Sequence, residues 1–168
     1  MTDVELGWLA GLIDGEGCIT LTRAHQRDSI RPILQITNTS LPLLEKAQRL
    51  IEELSGKRPN IKIQSNRGKF GYRTCYIIQI RRHATIASVL RALTPHMVAK
   101  REQTELVLAF VESRMSAPRR VMRGRRGGYY KQWYSEVELE LLERVHRLNS
   151  YSHRRERWGL HPTSSSRK

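Results

Sequence analysis

The chain of 168 residues predicts an α+β fold in which an antiparallel sheet is covered by helices on one face. Three observations carry that prediction. Residues 18–24 with 31–38, and 60–66 with 72–80, are two pairs of alternating segments. A short polar gap, His25 to Ser29, divides the first pair, and Arg67 to Gly71 divides the second, so both read as hairpins. Helical periodicities lie before, between and after the pairs, giving the order α-β-β-α-β-β-α-α, a linker, and a last helix. Finally, the alternation sorts each strand into an apolar and a polar face.

Each element has its own signals. Thr2-Asp3-Val4-Glu5 has capping-box form and leads into the apolar run Leu6 to Ile13, so a first helix is expected to end near Asp14, where Gly15 and Gly17 release the backbone. The segment from Leu41 to Leu54 places Leu43, Leu44, Ala47, Leu50, Ile51 and Leu54 on one stripe. Ser40 is its expected cap, Pro42 is tolerated in its first turn, and Gly56 closes it. Residues 84–93 and 97–114 continue as helices. Ser135-Glu136-Val137-Glu138 is a second capping box, followed by Leu139, Leu142, Val145 and Leu148 at helical spacing. The expected organisation is a core over 1–115, a basic linker over 116–134, a C-terminal helix over 135–150 and a basic, flexible tail over 151–168.

Ile19, Leu21, Leu34, Ile36, Ile61, Ile63, Tyr76, Ile78 and Ile80 are expected on the helix-covered side of the sheet. The open side receives Thr20, Thr22, Arg31, Ile33, Gln35, Thr37, Lys62, Gln64, Arg73, Cys75, Ile77 and Gln79. This is either an ordinary solvated sheet face or a surface of the residue types that contact base edges and phosphates. The formal net charge of +14 favours a polyanionic partner, with nucleic acid the first choice. The charge is uneven: 16 Lys/Arg against 11 Asp/Glu over residues 1–113, and 14 against 5 over the remainder. No apolar run is long enough to span a bilayer and no basic-then-apolar leader opens the chain, so no membrane partner and no targeting signal are expected. The two cysteines, Cys18 and Cys75, lack metal-ligand or redox spacing, which fits a reducing compartment and excludes a zinc site.

The most informative segment is Leu9-Ala10-Gly11-Leu12-Ile13-Asp14-Gly15-Glu16-Gly17, which joins the first helix to the first strand. Gly7 and Gly11 share one helix face, and with Ala10 they permit close approach of another helix. A lone acid after glycine is commonly just a surface ion-pair partner. The alternative is that Glu16, at a helix end, offers a hard oxygen ligand suited to Mg²⁺ rather than Zn²⁺. This nonapeptide resembles the motif of the LAGLIDADG homing endonucleases, differing in Gly-Glu where the name-giving motif has Ala-Asp. The motif occurs once, and the element order resembles the single-motif members over roughly residues 4–148.

That resemblance implies an αββαββα fold with a β-saddle on double-stranded DNA, working as a homodimer whose motif helices pack at the centre. It implies Gly7, Ala10, Gly11 and Asp14 at the dimer interface, with Asp14 a structural residue at the helix end. Glu16, with the Gly15 carbonyl, would bind the catalytic divalent ion, Mg²⁺ with Mn²⁺ able to substitute. Asn38 matches a polar residue near the attacking water, and Lys100 matches a lysine that faces the scissile phosphate. Some members carry an arginine one helical turn after the Asn38 position, where this chain has Thr39-Ser40-Leu41-Pro42. The activity implied is a double-strand break in a long pseudo-palindromic site, since one motif gives one site and two strands require two. Linker arginines could reach flanking phosphates. Competing readings keep the fold without cutting, as an RNA maturase acting on intron RNA or a DNA-binding regulator, or discard it for an unrelated basic RNA-binding protein. An organelle and a prokaryotic cytoplasm both fit.

Overall fold

A computed structural model describes residues 1–24, 29–64, 74–117, 121–122, 131–132 and 134–150. Helix α1 (Asp3–Glu16) opens the fold, followed by β1 (Gly17–Ala24) and β2 (Ser29–Asn38), then α2 (Leu41–Ser55). Strands β3 (Ile61–Gln64) and β4 (Cys75–Ile80) lead to α3 (His83–Leu93), a 3₁₀ turn at Thr94–His96, and α4 (Arg101–Ser116). Two short segments, β5 (Val121–Met122) and β6 (Lys131–Gln132), pair with each other ahead of α5 (Glu136–Asn149). Among the described residues no helix is long and apolar enough to cross a membrane.

The expected α+β class is what the chain adopts. All four main strands are antiparallel, in the order β1-β2-β4-β3. Ile19 lies opposite Leu34 and Ile36 opposite Ile78, so the apolar residues of three strands stack on one face. There Ile19, Leu21, Leu34, Ile36, Ile78 and Ile80 are buried beneath α1 to α4, with Phe110 of α4 fully enclosed. Ile61 and Tyr76 are only partly buried, and Ile63 does not join the core at all, being 69% exposed. The expectation for Ile63 is thereby corrected. Strand β3 is a four-residue edge strand, and its period-2 pattern points Ile63 to the helix side at a place where no helix covers it.

The helix boundaries follow capping chemistry. The Thr2 hydroxyl accepts from the Glu5 N–H at 3.3 Å, while the Glu5 carboxylate accepts from the Thr2 N–H at 2.9 Å, the reciprocal box foreseen in the sequence. Helix α1 runs to Glu16, two residues past the expected stop, because neither Gly15 nor Glu16 leaves helical geometry. The stop comes at Gly17, where an added Cβ would lie 2.5 Å from the Ile13 carbonyl oxygen. Ser40 occupies the cap position of α2, but its side chain makes no capping bond. Instead Asn38 Oδ1 accepts the Ser40 N–H at 2.8 Å. Gly56 closes α2 at φ 63°, the left-handed conformation that glycine adopts most readily.

Helix α5 is part of the core and not an appendage. Leu142 and Val145 are buried, and the helix lies against α4 and β1. β1 is an edge strand, and its outward carbonyls are satisfied from α5: His146 Nε2–H donates to Leu21 O at 2.7 Å and Asn149 Nδ2 donates to Ile19 O at 3.1 Å. Glu138, 3% exposed, anchors the N-terminus of α5 by accepting from Ser113 Oγ at 3.0 Å and from the Ser135 N–H at 2.9 Å, with the Arg114 guanidinium 3.6 Å away. The Tyr134 hydroxyl accepts the Ile30 N–H at 2.7 Å, and the ring stacks on Phe110 beneath the Arg114 guanidinium.

At the start of α3, burial and the nearby Arg114 charge hold the His83 imidazole below its ordinary value of 6.5. The unfolded chain therefore takes up a proton first as pH falls through 6.5, and folding stability declines on that acid side. Urea denaturation from pH 7.5 to 5 is expected to show a shallower decline for His83→Gln than for the wild-type protein. An identical pH dependence in the two proteins would contradict this assignment.

Candidate active site and nucleic-acid surface

The end of α1 is joined to the distant segment ahead of α4. Asp14 Oδ2 accepts from the N–H groups of Val98 at 2.7 Å and Ala99 at 3.2 Å, and Oδ1 accepts from the N–H of Lys100 at 2.9 Å. Lys100 reaches back, its Nζ donating to Ile13 O at 3.1 Å and also to Asp14 O. Three amides held by a carboxylate explain why residues 97–100 are not the first turn of α4, as expected, but a separate turn with Lys100 in the cap position. The Lys100 ammonium therefore lies at the helix end that carries Gly15 and Glu16.

Glu16 is the last residue of α1 and is exposed. Gly17 follows immediately as the first residue of β1, opposite Ile36. Asn38 ends β2 two residues beyond Ile36, at the same end of the sheet as Gly17; it lies opposite Tyr76 and spends its Oδ1 on the Ser40 amide. Among the described residues no group of three or more His, Cys, Asp or Glu converges as a closed metal cage. Glu16, exposed at the end of α1, is a hard oxygen donor of the kind Mg²⁺ accepts.

The open face of the sheet carries the predicted polar set. Thr20 lies opposite Ile33, Thr22 opposite Arg31, Gln35 opposite Gln79, Thr37 and Lys62 opposite Ile77, and Gln64 opposite Cys75. Arg31, Lys62 and Gln64 are exposed, and Arg73 lies outside the described residues. Gln79 Nε2 donates to Gln35 Oε1 at 2.8 Å and Gln35 Nε2 to Thr37 Oγ1 at 3.3 Å, a polar chain across the middle of the face. Cys18 shares this face opposite Gln35 and is exposed. Sequence reasoning overlooked it, although it has the same parity as Thr20.

The four residues expected at a subunit contact divide. Gly7 and Gly11 are exposed, and a Cβ added at either meets nothing within 4 Å. Val4, one turn earlier, is 82% exposed. Ala10, by contrast, is completely buried in the core of its own chain, and both carboxylate oxygens of Asp14 are committed to the 98–100 amides. For Ala10 the expectation is corrected, while Asp14 is half-buried at the helix end. Helical periodicity puts Ala10 about 100° from Gly11, on the side that packs into the core.

The family model described as "LAGLIDADG-like domain" matches residues 3–92, more than half of the sequence. The chain belongs to the LAGLIDADG family. No protein of curated function matches it. Its fold is similar to that of the archaeal intron-encoded homing endonuclease I-Vdi141I, solved in complex with DNA, with a TM-score of 0.61 at 17% identity over 89% of this chain and 86% of that one. The homing endonuclease I-TnaI gives a TM-score of 0.59 at 16% identity over 92% and 95% of the two chains. The homing endonuclease I-CvuI, in complex with its target in the presence of calcium, gives 0.59 at 18% identity over 88% and 83%. At these identities the likeness shows a shared LAGLIDADG fold.

The helix-to-strand junction of the motif is sterically fixed. Gly17→Ala would press a methyl group against the Ile13 backbone, 2.5 Å from its oxygen and 2.9 Å from its Cα. It is expected to cost about 1–3 kcal/mol of folding stability, in the range of overpacked sites. Gly15→Ala, where the added Cβ meets nothing within 4 Å, should match or exceed wild-type stability. Urea unfolding of the two variants checks this, and equal stabilities would contradict it.

Proposed function

We propose that this LAGLIDADG protein is a sequence-specific endonuclease of double-stranded DNA, acting as a homodimer with one divalent-metal-dependent site in each subunit. The observation that supports this most is a meeting of groups. An exposed carboxylate, Glu16, and a lysine ammonium, Lys100, share one end of a helix whose outer face is lined by exposed glycines.

In this reading the open sheet face lies on the duplex. Strand β2 has ten residues, which at ~3.4 Å each span about ten base pairs, the length of one half-site. Arg31 and Lys62 supply phosphate contacts, while Thr20, Thr22, Ile33, Gln35, Thr37, Gln64, Cys75, Ile77 and Gln79 supply the groups that face the groove, to which the sequence alternation alone adds Arg73. Glu16 and the Gly15 carbonyl would hold Mg²⁺, which supplies activation of water and charge neutralisation at the phosphate and the leaving oxygen. Lys100 adds positive charge at the scissile phosphate, and Asn38 orients the water through its amide. Residues 1–115 provide the saddle and the site, α5 braces the outer strand, and the basic 116–134 segment adds contacts to flanking phosphates. Two copies meet through Val4, Gly7 and Gly11. Each subunit then addresses one strand, so the target is pseudo-palindromic.

Incubation with a library of randomised duplexes in Mg²⁺ is expected to enrich cut products that share a long, near-palindromic sequence. Glu16→Gln should abolish the cutting while binding in Ca²⁺ stays within a few-fold. Recovered binding without cutting by the wild-type protein would overturn the nuclease and leave a regulator or an RNA maturase.

The interface has its own test. A Cβ added at Gly11 meets nothing within 4 Å, and leucine is the better helix former by roughly 0.8 kcal/mol. Gly11→Leu is therefore expected to yield a folded monomer by light scattering, with at least wild-type stability of the isolated chain. A dimer that persists in this variant would exclude the α1 face as the contact.

A further inference from the structure

We propose that Asp14 is the positioning residue for Lys100, its carboxylate fixing the 97–100 turn so that the lysine ammonium is delivered to the Glu16 end of α1. The role rests on the nuclease reading above. Asp14 is the first acid of the motif and lies two residues before the exposed Glu16. It faces the 97–100 turn, with Oδ2 taking the amides of Val98 and Ala99 and Oδ1 that of Lys100. Three consecutive N–H groups converging on one anion form a concave nest that defines the path of the turn. The side chain of the third residue then runs back along α1 to the Ile13 and Asp14 carbonyl oxygens. The two elements are thus clasped in both directions, backbone to carboxylate and ammonium to backbone.

The turn is otherwise held at its two ends, where the Met97 N–H donates to Thr94 O and the Lys100 carbonyl accepts from the Thr104 N–H and hydroxyl. Met97 is buried, but Val98 and Ala99 are exposed, Val98 by 86%. Solvent can therefore satisfy the freed amides when the carboxylate is removed, so the fold survives while the direction of Lys100 is lost. A purely structural Asp14 would lower stability and DNA binding together. A positioning Asp14 affects the rate of cutting specifically, and only while Lys100 is present.

The test is a double-mutant cycle on single-turnover cleavage of the selected target, with DNA affinity measured separately in Ca²⁺. Lys100→Met and Asp14→Ala are each expected to slow cleavage on the order of 100-fold, the loss typical of one well-aimed charged or hydrogen-bonding group. DNA affinity should change by no more than a few-fold. The double variant should be no slower than Lys100→Met alone. Asp14→Asn keeps one acceptor oxygen where the carboxylate uses two, and should fall between wild type and Asp14→Ala. If Asp14→Ala does not fold, amide exchange in Asp14→Asn replaces it, with faster exchange at Val98, Ala99 and Lys100 expected at unchanged global stability.

Penalties that multiply in the double variant, wild-type cutting by Asp14→Ala, or unchanged exchange in Asp14→Asn would each overturn the positioning role and leave the nuclease reading intact. A wild-type protein that cuts no duplex in Mg²⁺ or Mn²⁺ would overturn both.

Discussion

The last turn of α1 places two carboxylates, Asp14 and Glu16, at the negative end of a helix dipole, and that turn contains no basic residue. Local electrostatics alone would fray it. The fold compensates from a distance of more than eighty residues. The Asp14 charge is spread over three backbone amides, and the Lys100 ammonium donates to the Ile13 and Asp14 carbonyls at that end. Glu16 receives no comparable compensation in the hydrogen bonds of this helix end. A carboxylate kept where the helix disfavours it is a local cost, and it supports the cation site proposed at Glu16.

The rest of the architecture holds that helix end still. Gly17 lets β1 begin within contact of the Ile13 backbone, so the strand register is tied directly to the motif. β1 would otherwise be a bare edge. Donors from α5, His146 and Asn149, occupy its Leu21 and Ile19 carbonyls, the second only three residues from Glu16. Helix α5 is in turn locked to α4 by the buried Glu138, and α4 begins at Lys100, where the clasp closes. The C-terminal helix thus supports the site through two routes, the edge strand and the fourth helix.

What the sequence made legible was local or periodic. Both capping boxes, the closure of α2 at Gly56 and the parity of the strands follow from spacing over a few residues, and the structure places them as read. What escaped depended on tertiary placement. Ile63 has the parity of a core residue but belongs to an edge strand beyond the helical layer. Ala10 looked like a partner for Gly7 and Gly11 because all three are small, yet size does not say which side of the helix faces the sheet. The true start of α4 and the partners of Asp14 were invisible because no pattern in residues 9–17 points to residues 98–100. The roles read for Asn38 and for the open sheet face concern a duplex, and they stand as proposals for the same reason.

Helix α1 is apolar around most of its girth. A helix of this kind is ordinarily buried on all sides, and one side of α1 meets that rule: Leu9, Ala10 and Ile13 are completely enclosed. The other does not, since Val4, Gly7 and Gly11 face outward and Leu6, Trp8 and Leu12 are only partly covered. A solvated helix face ordinarily carries long polar side chains; here bare glycines leave the backbone within reach of a neighbouring helix. The surface is also continuous with the functional end, because Gly15 is exposed one turn beyond Gly11 and Glu16 follows it. A second α1 laid along this stripe would cover its apolar surface and bring the two Glu16 ends toward one another. In the proposed endonuclease, burial of the helix and one carboxylate for each DNA strand would then be met by the same contact.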